Sequence, residues 1–156
     1  MPTRKHMRLG NFDYSSANAY FITICVKNFE CRFGEIRNGI VGLSDAGNTA
    51  ACYLQEIPEK RVNVILDEFI VMPNHAHCIL EIQHRQFLPE NRNQFAKPVA
   101  NSVSIIINQY KGAVKKWCNK NGLNDFNWHV PTKISTVQIF FREFFHHRLS
   151  AICSIR

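Results

Sequence analysis

Apolar and polar positions change their spacing several times along this chain, and each change marks an element. Ala19-Tyr20-Phe21-Ile22-Thr23-Ile24-Cys25-Val26 is rich in β-branched and aromatic residues and predicts a central strand. Phe33 to Arg37 and Ile40 to Leu43 flank Asn38-Gly39, a pair that favours the tight turn of a β-hairpin. Ser44 then opens a helix, with Ala46, Ala50, Ala51, Leu54 and Ile57 at helical spacing and Pro58 closing it. Val62 to Met72 predicts a further strand, Pro73-Asn74 a turn, and His75 to Ile82 the returning partner. Residues 83–101 are polar, carry Pro89 and Pro98, and predict a surface loop. Ser102 opens a long helix with Val103, Ile106, Ile107, Tyr110, Val114 and Trp117 on one face, lysines near the other, and Gly122 at its end. The order predicts an α+β protein, a ferredoxin-like or RRM-like antiparallel sheet with helices packed on one face, and shows no internal repeat.

Length and composition narrow this picture. The 156 residues, 46% of them hydrophobic and 20% charged, suit a single globular domain across 1–156. Within it, 1–18 reads as a basic arm and 130–156 as a divergent C-terminal tail. No apolar run reaches membrane-spanning length, and no apolar segment follows the basic first residues, so a cytoplasmic protein is expected. Six cysteines without a Cys-x-x-Cys pair fit neither a disulfide framework nor a zinc ribbon, and read as free thiols. Lysine and arginine outnumber aspartate and glutamate by 19 to 12, a formal charge of +7 that favours a polyanionic partner. The basic residues gather at Arg4 to Arg8, Lys111 to Lys120 and Arg142 to Arg148.

The informative chemistry is His75-Ala76-His77. Residues two apart on a strand point to the same side, so both imidazoles project together. Two neutral imidazoles side by side are half of a divalent-cation site, and the third ligand must come from elsewhere. Two half-exposed strand histidines with no ligand would satisfy the same pattern.

The surrounding residues carry a resemblance. Asp67-Glu68-Phe69-Ile70-Val71-Met72-Pro73-Asn74-His75-Ala76-His77-Cys78-Ile79 resembles the histidine-bearing strand pair of the single-tyrosine HUH transposases, the REP-associated tyrosine transposases above all. Tyr14-Ser15, Ala19 to Cys25, Phe33-Gly34-Glu35-Ile36, Ser104-Ile105-Ile106, Tyr110-Lys111 and Trp128 agree in the same order, so the likeness runs from about Arg4 to about His129. It implies binding of single-stranded or hairpin DNA, Mg²⁺ or Mn²⁺ held by His75 and His77 against a scissile phosphate, and attack by a tyrosine. Strands are then cut and rejoined through a phosphotyrosine link. A homodimer is also implied.

The tail departs from that pattern. The family's tyrosine lies on a helix after Trp128, and the corresponding stretch, Leu149 to Cys153, holds no tyrosine. No tyrosine follows Tyr110, which leaves two readings: Tyr110 is the nucleophile, or this copy keeps a DNA-binding fold without one. Tyr110 shares a helical face with Ile106, Val114 and Trp117, the pattern of a core residue. Ser150 and Cys153 have no evident activator, and His146 and His147 are the nearby candidates for a further metal ligand. Arg4, Lys5, Arg8, Asn74, Lys111, Lys115 and Lys116 are the candidate DNA contacts; a solvated helix face and a loose basic arm are the plainer readings of the cationic ones. Tyr20 and Phe21 would stack on bases or pack in the core. The competing function is a catalytically inactive single-stranded nucleic-acid-binding module of the same fold. A zinc deaminase fits poorly, because its His-x-Glu and cysteine pair are absent.

Overall fold

A computed structural model describes residues 16–83, 102–130 and 132–137. The chain begins with β1 (Asn18–Cys25), then a 3₁₀ turn (Lys27–Phe29), the short strands β2 (Gly34–Arg37) and β3 (Ile40–Leu43), and helix α1 (Asp45–Glu59). β4 (Val64–Met72), β5 (His75–Ile82), α2 (Val103–Lys120) and β6 (Lys133–Val137) follow. The sheet runs in the order β4-β5-β1-β6 with every neighbouring pair antiparallel. Setting aside the separate β2-β3 hairpin, this is the βαββαβ order of a ferredoxin-like fold, with both helices packed on one side.

Alternation decides which side is covered. Tyr20, Ile22 and Ile24 of β1, Ala76, Cys78, Leu80 and Ile82 of β5, and Ile134 of β6 are buried and face the helices. α1 adds Ala46, Ala50, Leu54 and Ile57, and α2 adds Val103, Ile106, Ile107, Tyr110, Val114 and Cys118. Burying a leucine or isoleucine side chain of this kind stabilises by about 1.5–3 kcal/mol, so this layer holds the fold together. Phe33, Phe126 and Trp128 form an aromatic cluster at its edge, and the Trp128 indole N–H donates to the Lys111 carbonyl at 2.9 Å.

The local chemistry accounts for most boundaries. Asn38 and Gly39 both have positive φ, 52° and 78°, as a two-residue hairpin turn requires. Ser44 caps α1 by accepting from the Gly47 N–H at 3.2 Å. Three details differ from expectation. Ser102 precedes α2 without making a side-chain cap bond. Val62 is fully exposed and β4 starts at Val64, because the Arg61 carbonyl turns the chain by accepting from Val64 N–H. The third lies in the tail, for which the pattern predicts no element: 133–137 form β6, the fourth strand, paired with β1 from Ala19↔Val137 to Thr23↔Lys133. Arg4, Lys5 and Arg8, the loop from 84 to 101, and His146, His147, Ser150 and Cys153 lie outside the described residues.

Candidate functional site

The side of the sheet opposite the helices carries the chemistry. Val26 and Trp128 are bridged and both buried on the helix side, so their neighbours Cys25 and His129 point the other way. Cys25 is opposite His75, and Thr23 is opposite both His77 and Lys133. His75, His77, Cys25, Thr23, Phe21 and His129 therefore share one face. The two imidazoles sit 4.6 Å apart between centroids and edge to face, and Phe21 stacks on His77 at 5.2 Å.

Each ring is oriented by a partner. Asn74 Nδ2 donates to the Phe29 carbonyl at 3.3 Å, which fixes its amide so that Oδ1 faces His75. That oxygen accepts from His75 Nδ1 at 2.7 Å, placing the proton on Nδ1 and the lone pair on Nε2. His77 Nδ1 lies 3.0 Å from Thr23 Oγ1, which likewise occupies Nδ1 and leaves Nε2 open. Burial lowers the pKa of both histidines, and for His77 burial and then the neighbouring His75 bring it down to about 4. Both rings are neutral at pH 7. Neutral imidazoles with Nδ1 engaged and Nε2 free are what a divalent cation needs, so the residues fit a metal. Cys25 lies beside them, but burial pushes its thiol up, which disfavours a thiolate ligand there. Among the described residues no third histidine, cysteine or carboxylate completes the set.

Tyr110 does not belong to this site. It is buried on the helix-covered side, its hydroxyl donates to the Ala50 carbonyl at 3.3 Å, and burial raises its pKa. Tyr20 is fully buried, its hydroxyl donating to Ser16, and Tyr53 packs against the core from α1. Every described tyrosine thus lies on the helix side.

The lysines divide. Lys111 Nζ donates to Thr132 Oγ1 at 3.1 Å and to the His129 carbonyl at 3.5 Å, and Lys115 Nζ to Asn127 Oδ1 at 2.7 Å. Both strap α2 to the segment that leads into β6. Lys116 is exposed. Asn74, a candidate DNA contact, positions His75. Sequence reasoning missed Thr23, His129 and Phe29. The first two were open to inference from alternation, since Thr23 lies between inward Ile22 and Ile24, and His129 follows an inward tryptophan.

No family model matches the sequence. An uncharacterized protein of Haemophilus influenzae is 37% identical over 125 residues, covering 76% of this chain and 69% of its own length. Among solved structures, a protein of Deinococcus radiodurans described as a candidate transposase superposes with a TM-score of 0.53 at 11% identity. That match covers 93% of this chain and 96% of the other. A REP-associated tyrosine transposase bound to a REP hairpin superposes with a TM-score of 0.50 at 16% identity, over 90% of this chain and 67% of the other.

Proposed function

On the premise that this chain belongs to the family of the Haemophilus influenzae protein and has the fold of the tyrosine transposases, we propose that it acts on single-stranded or hairpin DNA by metal-assisted phosphoryl transfer. The observation that carries this is the histidine pair with both Nδ1 atoms engaged and both Nε2 atoms left for a cation. A bound Mg²⁺ or Mn²⁺ would polarise the phosphoryl oxygens, and nitrogen donors favour Mn²⁺ of the two. His75 and His77 would hold the ion. Asn74 and Thr23 fix the rings that hold it, and Phe21 shields one face of His77 from water. The net charge of +7 favours a DNA backbone as partner, with exposed Lys116 and the arm residues Arg4, Lys5 and Arg8 as candidate phosphate contacts. Tyr110, buried on the helix side, is not positioned to attack a phosphate held at the histidine pair.

A second reading, metal-dependent DNA binding without cleavage, is favoured by the placement of every described tyrosine on the helix side. One gel separates the two. Labelled single-stranded hairpin DNA is incubated with Mn²⁺ and wild type, His77→Ala or Tyr110→Phe, and resolved for cleavage and covalent adduct. Phosphoryl transfer gives product with wild type and Tyr110→Phe but not with His77→Ala. Mn²⁺-strengthened binding with no product establishes the binding module, and loss of product in Tyr110→Phe would overturn the assignment of that residue to the core. The homodimer implied by the resemblance is checked by light scattering with and without DNA. No helix among the described residues is long and apolar enough to cross a membrane.

A further inference from the structure

The turn between β1 and β2 holds an aromatic ring where a core would not put one. Asn28 and Phe29 both have φ of 55°, in the left-handed region that bulky residues rarely occupy. Phe29 is 57% exposed, so burial does not compensate the conformation. Backbone contacts hold it instead. The Phe29 N–H donates to the Val26 carbonyl at 3.1 Å, and its own carbonyl accepts from Asn74 Nδ2 at 3.3 Å. The same Asn74 side chain orients His75, so one amide couples the exposed ring to the histidine site.

Phe29 has an aromatic neighbour. Its ring meets His129 at 5.4 Å between centroids, tilted by 31°. His129 is clamped on both sides, its N–H donating to the Cys25 carbonyl at 2.8 Å and its carbonyl accepting from Lys111 Nζ at 3.5 Å. Cys25 is opposite His75, so the aromatic pair flanks the same end of the same face as the metal-binding candidates. Lys27, exposed on the same turn, adds positive charge.

We propose that Phe29, backed by His129, is a stacking platform for one unpaired base of single-stranded DNA, next to the phosphate that the histidine pair would hold. The inference rests on the function proposed above and adds how the face selects its substrate. An exposed, rigidly held ring offers a flat apolar surface. An unpaired base has two such surfaces free, whereas bases inside a duplex have none. The platform therefore selects single strands over duplex and tolerates any base.

The test is fluorescence anisotropy of a labelled mixed-sequence oligonucleotide, single-stranded or annealed to its complement, with the full chain and Mn²⁺. Wild type, Phe29→Ala, Phe29→Leu and Phe29→Trp are compared. Phe29→Ala and Phe29→Leu are each expected to weaken single-strand binding by about tenfold while leaving duplex binding unchanged. Phe29→Trp is expected to keep its affinity, and its added indole emission to be quenched by the single strand. Circular dichroism melts should leave Tm little changed in all three, because the ring is exposed. Equal single-strand affinity in wild type and Phe29→Ala, or retention by Phe29→Leu, overturns the platform while the nucleic-acid reading stands. A wild type that binds no single-stranded DNA overturns both.

Discussion

Within β5, neighbouring residues live in opposite chemical worlds. Cys78 lies under α2 with Tyr110, and burial pushes its thiol up to about 12 and raises the phenol as well. One position earlier, on the other face, burial brings His77 down to about 4. The physical cause is the same on both sides, since desolvation disfavours whichever form is charged. Its chemical result is reversed. The acids beneath the helices are held protonated and so are poor nucleophiles, while the bases on the opposite face are held neutral, the form in which an imidazole can bind a metal. One side of the sheet packs the core and the other carries the candidate metal ligands, and a single strand supplies both by alternation.

That division can be tested by changing one side and measuring the other. The largest expected effect is Trp128→Ala, which empties the aromatic cluster and removes the indole bond to the Lys111 carbonyl. It should cost about 3–5 kcal/mol in urea unfolding. Next comes Thr23→Val, which keeps shape but leaves His77 Nδ1 without its hydroxyl partner. Mn²⁺ affinity, followed by titration calorimetry, should fall about 10–100-fold while the urea midpoint barely moves. An unchanged affinity would mean that Thr23 does not position His77 as a ligand.

A third prediction uses acid. The folded-state pKa of His77 is below its ordinary value of 6.5, so the unfolded chain takes up the proton first as pH falls. Stability contributed by the neutral ring is full above pH 6.5 and lost as pH falls toward 4. With EDTA present, urea unfolding of wild type should lose about 1–2 kcal/mol more than His77→Ala over that window, after allowance for solvent screening. The smallest effect is expected from Tyr110→Phe, which deletes one hydroxyl bond to Ala50. It should cost about 1 kcal/mol and leave any DNA cleavage or binding intact. Loss of activity there would dissolve the distinction between the two faces.

Most of the scaffold was legible because its periods are strong. β1, the hairpin at Asn38-Gly39, α1, the β4-β5 pair and α2 all follow the apolar spacing along the chain. β6 was not legible. Lys133-Ile134-Ser135-Thr136-Val137 carries little apolar signal, Ile134 joins the core cluster, and pairing with β1 makes the segment a strand. The histidine pair could be read from its spacing of two, and Tyr110 from its helical face. Thr23 could not be linked to His77, since 54 residues separate them and strand register alone brings them together. Asn74 could be seen as part of the site, but its role as an orienting amide depends on a contact with Phe29, 45 residues earlier. The bonds of Lys111 and Lys115 could not be read, because nothing in the pattern of α2 reveals the loop that they grip.

Among the described strands β4 lies at an outer edge of the sheet, and its register slips between Leu66 and Phe69. The two residues at the slip are Asp67 and Glu68, acidic side chains set into an otherwise apolar strand. Unbroken strand edges invite strand addition, and a charged bulge is a recognised way to prevent it. Only Val64–Leu66 and Phe69–Met72 remain in regular pairing on either side. Any second chain that joined this edge would lose register after three or four residues, so association should proceed through other surfaces and the sheet should resist growing into a fibre.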